Sequence, residues 1–339
     1  MNAPAKEYDG KNKYIRITDI DEDTCTYKSD DIVSPNAMLE DKYRVKKNDI
    51  LFARTGASTG KAYLYDEQDG LMYYAGFLIR GNVKKDYNSK FVFLQTQTQK
   101  YKKWIDIMSI RSGQPGINSQ EYSSFKFMLP PSRAEQDKIS ELFTLLDERI
   151  ATQIRIIEKL QSLMKGLAER LTSQAPNTQI ADCLECHTST LQENQLKATG
   201  DYKVYGANGV CGYTDKPAII EDAILIVKDG SGVGNINYAI GKYSVIGTSN
   251  YLTVKDGFSL RYLYYCLMTF NFTPYRTGMA IPHIYFKDYG KALVYCPSLD
   301  EQKRIANLLS KIDGKIQIET SIMDYYQMQK RYLLQSMFI

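Results

Sequence analysis

Residues 54–62, Arg-Thr-Gly-Ala-Ser-Thr-Gly-Lys-Ala, carry the ingredients of a phosphate-binding loop: two glycines, hydroxyl side chains and a lysine. Such a loop points backbone N–H groups at the phosphates, with lysine on the outer phosphates and a hydroxyl on Mg²⁺. The pattern needs four residues between the glycines and Ser or Thr after the lysine. Here Gly56 and Gly60 enclose three residues, and Ala62 follows Lys61. A second glycine-rich stretch, residues 230–235 (Gly-Ser-Gly-Val-Gly-Asn), lacks the third correctly spaced glycine and the βαβ setting of a dinucleotide fingerprint. Both stretches are expected as turns between paired strands, with Gly56, Gly60, Gly230 and Gly234 at positive φ.

Residues 183–187, Cys-Leu-Glu-Cys-His, match the spacing for covalent haem attachment. That chemistry belongs to an exported, oxidising setting, and the N-terminal residues 1–13 show no apolar signal region. A zinc site on Cys183, Cys186 and His187 would need a fourth ligand, and none is evident nearby. Two free thiols at a helix or strand edge are expected, with no metal. His187 and His283 are the only histidines, and no Ser/His/Asp order, His-Glu-x-x-His pair or adenine-methyltransferase Asn/Asp-Pro-Pro-Tyr/Phe motif appears. The carboxylate-rich run 19–23 reads as a solvated loop. The expectation is a non-catalytic chain.

Hydrophobic residues make up 43% and charged residues 24%, as in ordinary soluble proteins, and no apolar run is long enough to span a bilayer. Six cysteines without an export signal read as reduced thiols, so a cytoplasmic location is expected. The net charge of +4 permits a polyanionic partner without demanding one. Basic character is concentrated locally: from Arg80 to Arg111 there are eight Lys/Arg against Asp86 and Asp106. Lys100, Lys102 and Lys103 there alternate with Tyr101 and Trp104, a pattern suited to tracking phosphates.

The chain that carries these residues is written twice. Residues 131–150 lie over 297–316 with a constant offset of 166, matching Pro131/Pro297, Ser132/Ser298, Glu135/Glu301, Gln136/Gln302, Ile139/Ile305, Leu142/Leu308, Asp147/Asp313 and Ile150/Ile316. Upstream, Pro115, Ile117 and Tyr122 lie over Pro282, Ile284 and Tyr289. Further upstream Leu51, Gly56 and Gly60 lie over Leu225, Gly230 and Gly234, and Arg54 falls on Lys228. Each copy runs from short strand-like segments through one central helix (91–105 and 260–270) to a long helix. Ser132 and Ser298, each with Glu three residues on, carry the capping-box spacing. The apolar seam of the first long helix is expected to include Ile139, Leu142, Leu146, Ile150 and Ile157, and that of the second Ile305, Leu308, Ile312 and Ile316. A helix of some 40 residues is about 60 Å long, and its seam is best buried by its own repeat in an antiparallel pair. Two related domains on such a rod would make a two-headed reader, about 18 base-pair steps apart on duplex DNA.

The Pro-Pro-Ser-x-x-Glu-Gln stretch at 130–136, its echo at 297–302, the two glycine loops and the Pro-x-Ile segments resemble the specificity (S) subunit family of Type I restriction–modification systems. The resemblance covers residues from about 14 to 339. It implies an α+β fold of two mixed α/β target-recognition domains separated by two long antiparallel coiled-coil helices. The ranges are then 1–130 for the first domain, 131–173 for the first helix, 174–296 for the second domain and 297–339 for the second helix. Each domain would read half of a split double-stranded DNA target. The helices would be gripped by two methyltransferase (modification) subunits, with restriction subunits joining. S-adenosylmethionine and ATP with Mg²⁺ would sit on those partners, and no cofactor on this chain. DNA contacts would come from Arg54, Thr55, Ser58, Lys61, Lys100, Lys102, Lys103, Arg111, Ser112 and Gln114 in the first half. In the second half they would come from Lys228, Ser231, Asn235, Arg276, Thr277, His283 and Tyr285. Glu135, Gln136, Glu301 and Gln302 would cap the helices or touch the methyltransferase. One departure stands out: the second copy has a lead-in at 178–206 with no counterpart before residue 14, so the first domain is expected to be incomplete or recombined, or the repeat boundaries shifted. The competing reading is a coiled-coil scaffold or adaptor with two protein-binding end domains.

Overall fold

The computed structural model of the protein describes residues 1–22 and 24–338. Asp23, the last residue of the acidic run, and Ile339, the last of the second helical range, lie outside the described residues. Two compact units result: Met1–Thr152 together with Ile322–Ile339, and Gln153–Ser321. Both long helices, Arg133–Thr172 and Leu299–Met337, are therefore divided between the units, and each unit contains a stretch of both. Among the described residues no helix is long and apolar enough to cross a membrane.

Within the first unit the helix stretches run antiparallel: Asp147 binds Lys330 at 2.7 Å, and Phe143 meets Phe338 at 5.7 Å between ring centres. Within the second, Gln153 hydrogen-bonds Glu319, while Met164 and Ala168 share a core with Ile305 and Leu309. Ile139, Leu146 and Ile305 lie in the seam as expected, but one position in each helix departs from the expectation. Phe143 and Leu309 are 0% exposed, whereas Leu142 (38%) and Leu308 (47%) face solvent. Two apolar residues stand side by side at each place, so periodicity leaves the phase open; packing of Phe143 against Phe91, Leu94 and Leu334 settles it in the first unit.

In the first unit the strand Asp49–Ala53 lies between Ala62–Leu64 and Leu78–Asn82, antiparallel to both. In the second unit Ala223–Val227, buried throughout, lies between Ile236–Ala239 and Ser249–Val254 in the same manner. The second sheet has one more strand, Leu184–Thr188, supplied by the lead-in and paired to Ser249–Val254. The first sheet has no such strand among the described residues. The central segment 91–105 is two helices, Ser89–Gln95 and Gln99–Met108, rather than one. Thr98 separates them because its hydroxyl caps the second, accepting from Tyr101 N–H at 3.2 Å. Its counterpart is a single helix, Leu260–Thr269.

The repeated Glu-Gln pair has a common structural task. Gln136 and Gln302 are 2% and 1% exposed. The Gln136 side-chain oxygen accepts from Asn88 N–H at 3.0 Å and its amide donates to the Pro130 carbonyl at 2.9 Å. Gln302 repeats this with Ser259 N–H and the Pro297 carbonyl, both at 2.9 Å. Asn88 and Ser259 are the N-caps of the short helices, so each glutamine ties the start of a long helix to the start of a short one. Glu135 is exposed, and Glu301 pairs with Arg304 at 2.7 Å.

Candidate nucleic-acid interface

The glycine loops are built by one backbone plan used twice. Gly56 N–H donates to the Pro115 carbonyl at 2.9 Å, and Ile117 N–H to the Arg54 carbonyl at 2.9 Å. In the second unit Gly230 N–H donates to the Pro282 carbonyl at 2.9 Å, and Ile284 N–H to the Lys228 carbonyl at 3.0 Å. Gly60 and Gly234 each return a bond to the carbonyl of the last strand residue, Ala53 and Val227. All four glycines have positive φ, between 75° and 96°. A Cβ on Gly60 would also lie 2.7 Å from Ile105, and one on Gly234 3.1 Å from Phe272, so both loops sit directly on an apolar support. Each unit thus presents a composite of two loops locked together, the glycine loop and the Pro-x-Ile segment.

The amides of Gly56, Thr59, Gly60 and Lys61 all donate within this composite. Those N–H groups are the ones a phosphate would need, and they are already satisfied. Lys61 is ion-paired with Glu22. What the loop offers outward is its side chains. Arg54 is exposed and makes no side-chain hydrogen bond or ion pair among the described residues. Thr55 and Ser58 are partly exposed beside it, and the Gln114 amide lies over Gly56, 3.1 Å from where a Cβ would stand. Ser112 is exposed, but Arg111 folds back on Glu121, 2.7 Å from both carboxylate oxygens, and on the Met108 and Ile110 carbonyls. In the second unit Ser231, Asn235, Thr277 and Tyr285 are exposed and Lys228 is half-buried. Arg276 donates to the Val233 carbonyl at 2.7 Å, bracing the loop from behind. The His283 ring bonds the Ile281 carbonyl at 3.1 Å and its backbone pairs with Thr277.

Beyond the shared composite the units differ. The first has the basic helix Gln99–Met108, absent as a helix from the second. Lys100, Lys102 and Lys103 are exposed on it and make no ion pair among the described residues. Its other face is aromatic: Tyr101 donates to the Gly60 carbonyl at 3.0 Å, and Trp104 packs on Phe125 at 5.1 Å. Tyr122, whose hydroxyl donates to the Ala53 carbonyl at 2.6 Å, is pushed up to about 12 by burial. Basic helix and glycine loop are therefore packed together, Tyr101 and Ile105 of the helix both meeting Gly60.

In the second unit the glycine loop instead borders an open cleft of about 520 Å³ with a neighbouring one of about 280 Å³. The tip of the hairpin Tyr202–Gly206/Gly209–Thr214 lines both: Asn208 shares the larger cleft with Asn235 and Asn237, and Glu193, from the short turn Glu193–Gln195, lines the smaller one with Ser231. The sequence reading missed Asn208 and Asn237. Asn208-Gly209 is itself a hairpin-turn signal that would have found the first. The residues 183–187 do not converge. Cys183 is buried 3.9 Å from the Cys296 sulfur, Cys186 is held up to about 11 by burial, and His187 stacks on Tyr251 at 4.8 Å. Among the described residues no group of three His, Cys, Asp or Glu side chains is placed to hold a metal.

Residues 2–162 and 177–324 each match the model of a family described as the Type I restriction modification DNA specificity domain. The type I restriction enzyme MjaX specificity subunit of Methanocaldococcus jannaschii is 23% identical over 335 residues, spanning 86% of this chain and 78% of that protein. The type I restriction enzyme EcoprrI specificity subunit of Escherichia coli is 24% identical over 112 residues, 33% of this chain and 28% of that one. Among solved structures, the Type-I restriction-modification system S subunit from M. genitalium aligns with a TM-score of 0.67 at 16% identity, over 100% of this chain and 93% of that one. A chain from a structure concerned with complex assembly and conformational transition of the type I R-M system aligns at 0.55 and 15% identity, over 95% and 90%.

Proposed function

The chain belongs to the Type I restriction–modification DNA specificity family, and from that premise we propose that it reads a two-part DNA target and directs methyltransferase and restriction subunits to it. The observation that carries this reading is the duplicated loop composite: identical backbone bonds hold different side chains in the two units. Arg54 in the first unit is answered by Lys228 in the second, Asn235 stands in the place of Lys61 and His283 in that of Gly116, while Gln114 has Ile281 as its counterpart. A constant frame with variable polar side chains is what reading two unlike half-sites requires. Lys100, Lys102 and Lys103 would supply phosphate contacts, which position the protein without reading sequence.

The long helices supply the partner surface in this reading. Leu142 and its repeat-equivalent Leu308 are exposed, as are Tyr325 (68%), Met328 (55%) and Tyr332 (68%), spaced three and four apart on one helix face. Chemistry, S-adenosylmethionine and ATP with Mg²⁺ belong to the partner subunits, and this chain is the non-catalytic reader. The test is a nuclease footprint of the chain with a cognate methyltransferase subunit on host DNA. Two protected blocks with an accessible spacer are expected. One continuous block overturns the two-part reading, and no DNA retention with flat salt dependence favours the adaptor.

A further inference from the structure

Gln153 and Glu319 stand at the same position of the two repeats, separated by the offset of 166 that aligns the long helices. They also touch. Gln153 Nε2 donates to the Glu319 backbone carbonyl at 3.1 Å and to its carboxylate, and both residues are 7% exposed. The two helices therefore approach each other at their own equivalent points. An interface built that way is self-matched: geometrically, either helix could pair with a second copy of itself. Chemically it could not do so equally. Pairing of the first helix with its copy places Gln153 against Gln153, which two amides can satisfy. Pairing of the second with its copy places two buried Glu319 carboxylates together. The observed pairing puts one carboxylate against one amide donor, with Lys315 at the previous turn paired to Glu319 on the same helix.

We propose that Gln153 and Glu319 form a one-carboxylate lock, which selects pairing of the first long helix with the second and holds that pair in a single register. A polar pair buried in a helix seam acts in this way, because a slip of register or a change of partner strands a buried polar group; the Asp147–Lys330 ion pair is a second polar contact between the same two helices. The repeat itself supplies a control. Arg149 is the equivalent of Lys315, four residues before position 153, so a glutamate moved to 153 would find a cation at the same spacing.

The test uses the full chain in four forms: wild type, Gln153→Glu, Glu319→Gln, and the exchange Gln153→Glu/Glu319→Gln. Urea midpoints and sedimentation across protein concentration are the readouts. Gln153→Glu, with two carboxylates facing, is expected to lower the midpoint or abolish folding, and the exchange to restore it towards wild type. Glu319→Gln, tolerant of every pairing, is expected to show a larger dimer fraction than wild type at high concentration. A Gln153→Glu chain with a wild-type midpoint, or an exchange no better than Gln153→Glu, overturns the lock. Equal dimer fractions in Glu319→Gln and wild type overturn partner selection. None of these readouts involves DNA, so the inference can fail or stand separately from the proposed function.

Discussion

Truncation of the two buried glutamines to alanine should be expensive, equivalent in cost, and separable by unit. Gln136 makes two hydrogen bonds of 3.0 and 2.9 Å, and Gln302 makes two of 2.9 Å. Each bond contributes about 1–1.5 kcal/mol net, so either Gln→Ala change should cost about 2–3 kcal/mol. With a urea slope of about 2 kcal/mol/M, the midpoint should fall by about 1–1.5 M. The chain's single tryptophan makes the assay local, because Trp104 packs on Tyr101 and Phe125 in the first unit. Gln136→Ala should move the tryptophan-fluorescence transition, whereas Gln302→Ala should move mainly the circular-dichroism transition. The isosteric Gln→Glu changes sharpen the reasoning. A glutamate keeps the oxygen that accepts from the cap N–H but sets a second oxygen against the proline carbonyl, so burial and that carbonyl raise its folded pKa. The penalty is then absent below the ordinary glutamate value of about 4.3 and appears as pH rises through it. Midpoint shifts below about 0.3 M for both alanine variants, or a Gln→Glu penalty that does not ease on acidification, would refute the clamp.

Replacing Lys100, Lys102 and Lys103 together by glutamine should flatten the log-affinity versus log-salt slope on mixed-sequence duplex by up to about 2.7, with target preference retained. Gel-shift titrations from 50 to 200 mM salt would show it. Gly60→Ala should cost about 1–3 kcal/mol, since φ is +94° and the added methyl meets Ile105 at 2.7 Å; Gly70→Ala, at φ +79° with open space, should cost less. Asp147 and Asp313 are repeat-equivalents with opposite titration. Burial raises Asp147, but Lys90 and Lys330 outweigh it and hold the carboxyl below its usual range. Its stability is present above the usual carboxyl pKa and is lost as pH falls below it. Burial dominates at Asp313, where Arg261 compensates only in part, so its ionisation costs stability as pH rises. At pH 7 Asp147→Asn should lower the thermal midpoint by about 2–4 °C, and Asp313→Asn should leave it unchanged or raise it.

The duplication, the glycine turns and the two long helices were all readable as strings, because each rests on local rules. Glycine spacing sets where φ turns positive, and apolar spacing of three and four sets a helix face. The family resemblance was readable for the same reason, since its signature is a repeated short motif. The role of Gln136 and Gln302 inside that motif was not: only the folded chain shows that they grip the caps of other helices. Nor could spacing choose between Leu142 and Phe143, or between Leu308 and Leu309, as the buried member. At the candidate interface the sequence nominated Arg54 and Arg111 alike. The fold leaves Arg54 facing outward and turns Arg111 back onto Glu121, through a contact ten residues away. Asn208 reached the second loop only because a hairpin from earlier in the chain bends over it. The sequence determined which elements form and that they form twice. Which side chains remain free to meet a ligand was decided by tertiary contacts, because a polar group's availability depends on the partners that folding brings to it.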